Sequence, residues 1–71
     1  MNLPNNGRKV KDFWFITSTS ESRISPKEGE QLIFHTEFHG QYDRDWILLV
    51  KNGVEISRFN TSFIAEINFE V

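Results

Sequence analysis

The sequence predicts an all-β domain: a small five-stranded, strongly bent antiparallel barrel. Three observations carry that expectation. Apolar and polar residues alternate with period two in several short runs, turn residues punctuate those runs, and no segment has a helical period. A flat five-stranded sheet would leave one face needing cover. No helical segment can supply that cover, so the sheet is expected to curl on itself. At 71 residues the chain reads as one domain, and a chain of this size buries only about 60% of the surface it exposes when unfolded. With no cysteine, it has neither disulfides nor thiolate metal sites as reinforcement. Self-association is one remaining support; the other is an aromatic-rich core drawn from seven Phe, two Trp and one Tyr. The two are compatible.

The elements follow in chain order. Met1–Gly7, with Pro4 and Asn5-Asn6-Gly7, reads as a flexible arm; residues 1–11 are assigned to that arm and residues 12–71 to the barrel. Phe13-Trp14-Phe15-Ile16-Thr17 is the first strand, rich in aromatic and β-branched residues. Ser18–Glu30 is polar, contains Pro26 and Gly29, and reads as a long loop, in which Ser25-Pro26 could start one helical turn. Gln31–His39 is the second strand: alternation assigns Leu32, Phe34 and Phe38 to the core and His35, Glu37 and His39 outward. Gly40–Asp45 reads as a polar connection, and Trp46–Lys51 as the third strand. Asn52-Gly53 is a hairpin signal, because both residues tolerate positive φ. Val54–Phe59 is the fourth strand, with Val54 and Ile56 inward. Asn60-Thr61-Ser62 breaks it, and Phe63–Val71 is the fifth.

The third strand is apolar on both faces. Ile47 and Leu49 point in while Trp46, Leu48 and Val50 point out, or the reverse holds. In either phase a row of large apolar groups faces outward, which on a soluble protein marks a contact surface. A second copy of the chain is the natural cover.

Charge narrows the function classes. The net charge of −2 argues against binding nucleic acid by bulk attraction to phosphates, although Arg8, Lys9 and Lys11 make the N-terminal end basic. No apolar segment follows those basic residues as in a secretory signal, and no run is long enough to span a membrane, so a cytoplasmic location is the default expectation. No serine stands in a nucleophile-elbow pattern, and a barrel this small is filled by its own side chains. Neither an enzyme nor a cofactor is expected. His35, Glu37 and His39 share a strand face, but the two histidines would lie about 13 Å apart along it. They read as a solvated row rather than a metal site.

From Gln41 to Val71 the chain resembles the Sm-like family, of LSm and Hfq type. The residues that carry the likeness are Ile56-Ser57-Arg58-Phe59-Asn60 followed by Ile64-Ala65-Glu66-Ile67, together with Tyr42-Asp43 ahead of Ile47-Leu48-Leu49. The family's second motif ends a strand in Arg-Gly-x-Asn before an Ile-x-x-Ile segment. Here Phe59 stands where many members carry glycine, and the N-terminal helix typical of the family has no counterpart. The resemblance implies a bent five-stranded barrel, and homo-oligomeric rings joined by pairing of the fourth strand with the fifth strand of the next subunit. It also implies single-stranded RNA as a ligand at the pore.

Carried over by position, Tyr42 would be a stacking platform, with Gln41 and Asp43 as base-edge partners. Arg58 would meet phosphate or base, Phe59 would stack, and Asn60 would hydrogen-bond a base. Each has a structural alternative: Arg58 pairing with a carboxylate, Phe59 in the core, Asn60 satisfying a tight bend, and Tyr42 anchoring its loop. Two other functions stay open: an SH3-like protein-interaction module, and an Sm-like ring that has lost RNA binding.

Overall fold

The computed structural model describes residues 5–71; the Met1–Pro4 part of the expected arm lies outside the described residues. The chain is an all-β, curled antiparallel sheet of barrel type. Its elements are β1 (Lys9–Ile16), β2 (Glu21–Ile24), β3 (Glu30–His39), β4 (Tyr42–Lys51), β5 (Val54–Asn60), a 3-10 turn η1 (Thr61–Phe63) and β6 (Ile64–Phe69). The five expected strands are β1, β3, β4, β5 and β6. The short β2 is an addition.

β1 organises the sheet. β6 takes one of its edges from Val10 to Phe15, so β2 and β3 must share the other. β3 pairs with Lys9 and Val10, and β2 pairs with Phe13 to Ile16. From β3 the chain meanders through β4 to β5. No pairing joins β5 to β6 among the described residues, so the sheet is open along that seam.

The buried apolar core consists of Val10, Phe13, Leu32, Phe34 and Ile47. Partly buried Phe15, Ile24, Leu49, Phe59, Ile64, Ile67 and Phe69 pack around it. Aromatic edges interlock here: Phe59 lies 5.1 Å from Phe13 and 5.4 Å from Phe15 between ring centroids, both edge-on. β4 takes the first of its two phases. Ile47 is fully buried, Leu49 packs on the core, and Trp46, Leu48 and Val50 face outward half-buried.

Several expectations are corrected. β1 begins at Lys9, inside the segment assigned to the arm, and Gly7 N–H already donates to Phe34 O at 2.7 Å. The Ser18–Glu30 loop contains β2 and then a Lys27–Glu30 turn with Gly29 at φ 82°; no helical turn forms after Ser25. Gly40–Asp45 is mostly strand. The connection shrinks to Gly40-Gln41, and Gly40 supplies the positive φ (62°) that a two-residue hairpin requires. The resulting β3–β4 hairpin overshoots the core, so Phe38, expected inside, is 54% exposed. Val54 and Ile56 are also exposed rather than inward, because the β4–β5 hairpin projects past the core and a bulge leaves Ile56 unpaired between Leu49 and Val50. A matching irregularity at Trp14/Phe15 skips Ala65, which explains why Ile64 and Ile67 both pack on the core while Ala65 is exposed.

Candidate functional site

Alternation along β3 and β4 builds the surface of interest. Pairing places Glu37 opposite Arg44, His35 opposite Trp46 and His39 opposite Tyr42, all on the outer face. Arg58 joins them from β5, where it lies opposite Leu48.

Arg58 is the hub. Its Nε and Nη2 donate to the two oxygens of Glu55 at 3.0 and 2.9 Å, and its Nη1 donates to Glu37 Oε1 at 2.6 Å. Its guanidinium carbon stands 5.3 Å from the centroid of the Trp46 ring, within cation–π range. Glu37 also meets both histidines: His39 Nε2 lies 3.1 Å from Oε2, and His35 Nε2 lies 3.4 Å from Oε1. Arg58 first, then His39, holds the Glu37 carboxyl below the usual carboxylate range. Arg58 does the same for Glu55, and the two carboxylates raise the guanidinium in return.

The six expected site residues divide between exposed and committed positions. Gln41, Tyr42 and Asp43 are exposed at the end of the β3–β4 hairpin, Tyr42 at 61%. Tyr42 borders a depression with Glu37, His39, Arg44 and Trp46. Asp43 and Asn60 border another with Asp45, Thr61 and Ser62. The structure thus brings Asp43 to Asn60, while Tyr42 belongs to the Arg58 face through Glu37. On the strand that follows, Phe59 packs among core aromatics, and Asn60 caps η1 by accepting from Ser62 N–H at 2.9 Å. Arg58 makes the carboxylate pairs described above. Among the described residues, no group of three or more His, Cys, Asp or Glu is placed to hold a metal ion.

Two side chains that organise these contacts escaped the sequence reading. Trp46 is the platform under Arg58, and the equal apolarity of both faces of β4 hid that role. Asp12 was the other. It is 2% exposed, sits at the fork where β2 and β3 leave β1, and accepts from Arg23 Nη2 and, at 2.7 Å, from Asn68 Nδ2. Arg23, then Asn68, holds its carboxyl low. A lone acid inside a basic and aromatic strand was the only available signal.

No family model, curated protein or solved structure matches this chain. No helix among the described residues is long and apolar enough to cross a membrane.

Proposed function

We propose that this chain is a non-catalytic barrel module that assembles with its own copies in the Sm-like manner, β5 of one copy pairing with β6 of the next. The observation that carries this reading is the open seam: β5 pairs only with β4 and β6 only with β1 among the described residues. Unpaired strand edges are templates for another chain. Apolar groups flank both edges. Val54 and Ile56 are exposed on β5, and Ile16, Phe63, Ile64 and Ala65 border a depression at the start of β6. The small buried core adds to the reason for a partner.

Light scattering on the chain and on Ile56→Lys tests the assembly. A multimer is expected for the native sequence, with a shift toward monomer when a lysine blunts the edge and a circular dichroism spectrum that stays β-rich. A native chain that stays monomeric at tens of micromolar (roughly, a weak-interface range) overturns the proposal.

A second reading gives the module single-stranded RNA as its ligand. The exposed Tyr42, beside His39 and Arg44 at the hairpin end, favours it. Because Arg58, Phe59 and Asn60 have intramolecular partners, the contact surface in this reading shifts toward Gln41 and Tyr42. If neither U-rich nor A-rich RNA binds more tightly than about millimolar near physiological salt, a protein partner or an RNA-free ring takes its place.

A further inference from the structure

We propose that the Asn52-Gly53 turn is a self-modifying site, where the folded chain converts its own asparagine to isoaspartate and loosens the start of β5. Asn-Gly pairs occur at Asn6-Gly7 and at Asn52-Gly53. Asparagine is thermolabile, and a following glycine hinders attack of its backbone nitrogen on the side-chain amide least, because it has no Cβ. By sequence the two pairs are equivalent. The structure separates them.

At the first pair both reacting groups are occupied. Asn6 Oδ1 accepts from Thr36 N–H at 3.0 Å, and Gly7 N–H donates to Phe34 O at 2.7 Å. At the second pair both are free: neither the Asn52 side chain nor Gly53 N–H has a hydrogen-bond partner among the described residues, and both residues are exposed. The remaining described asparagines are held as well. Asn5 accepts from Arg8, Asn60 accepts from Ser62, and Asn68 donates to Asp12.

In water the Gly53 nitrogen gives up its proton and bonds to Asn52 Cγ. The Cγ–Nδ2 bond breaks, ammonia leaves, and a cyclic succinimide remains. Water then opens the ring at either carbonyl. Attack at Cγ restores the original linkage with an aspartate side chain. Attack at the main-chain carbonyl leaves isoaspartate, in which the backbone runs through Cβ and Cγ and is one carbon longer. No electrons are gained or lost. Asn52 (φ 53°) and Gly53 (φ 80°) are the whole connection between the paired residues Lys51 and Val54. A connection this short sets the register of its hairpin. An added backbone carbon does not fit it, so the Lys51–Val54 pair opens. β5 pairs only with β4 among the described residues, so nothing on its other edge holds that end in place.

The test ages the native chain in warm, mildly alkaline buffer, and in parallel in urea that unfolds it. Tryptic peptides ending at Arg8 and spanning Asn52–Arg58 are then followed by mass spectrometry. In the folded chain Asn52 should convert at least about tenfold faster than Asn6, whose two hydrogen bonds must open first. In urea the two rates should converge. Equal rates in the folded chain, or conversion of Asn52 in urea alone, overturn the assignment. Ion exchange separates the aged fraction by its added negative charge, and hydrogen exchange at Val54 and Glu55 should be faster there than in the native chain. Unchanged exchange at these two residues overturns the loosening of β5. Asn52→Asp carries the charge without the extra carbon and should exchange like the native chain; if it matches the aged fraction, the lengthened backbone is not the cause.

Discussion

Two arginines in this molecule hold carboxylates, and they do so in opposite settings. Arg23 reaches Asp12, a carboxylate 2% exposed at the fork of β1, with Asn68 on its other oxygen. Arg58 reaches Glu37 and Glu55 on an open face, where the Glu37 side chain is 29% exposed and the Arg58 side chain 34%. The first pair ties β2, β1 and β6 together, and losing Arg23 would strand the buried Asp12 carboxylate. The second spans β3 and β5 across β4, and water can replace each of its bonds. One region is built for permanence, and the other is free to exchange partners. The candidate binding surface belongs to the second.

Breaking the base should cost most. Phe13 is fully buried and packs edge-on against Phe59, so Phe13→Ala should lose about 3–5 kcal/mol in urea unfolding, enough to threaten a domain this small. The arginine contrast comes next. Arg23→Ala, which strands the buried Asp12 carboxylate, should lower the urea midpoint clearly, whereas Arg58→Ala should leave it nearly unchanged. Equal losses would erase the distinction between the two regions.

Acid sharpens the same contrast. Asp12, Glu37 and Glu55 are all held below ordinary carboxylate values. A depressed folded-state value contributes stability that is present above the unfolded-state value and is lost as pH falls through the folded one. The urea midpoint should therefore hold from pH 7 to about 5 and decline below about pH 4. Asp12→Asn should flatten part of that decline. The smallest effect is at η1, where Asn60→Ala removes a cap and should cost about 1 kcal/mol.

How much of this was legible in the sequence depended on where alternation met a core. Leu32, Phe34 and Ile47 obeyed it because each sits over packed neighbours. Phe38 and Val54 carry the same pattern but fall on hairpin ends that run beyond the core, and periodicity alone does not say where the core stops. Ile56 slipped because a bulge changes the phase of a strand without any marker in composition. Arg58 was singled out as a charged group that would meet RNA or else pair with a carboxylate. Its partners were not, since Glu37 lies 21 positions away and only strand register brings the two together.

The central claim is that β5 and β6 are edges waiting for another copy. Hydrogen exchange of their backbone amides, measured across a dilution series, addresses it most directly. The account predicts that protection in Val54–Asn60 and Ile64–Phe69 rises with concentration while that of β3 stays constant. Exchange in both edge strands that is independent of concentration would contradict it.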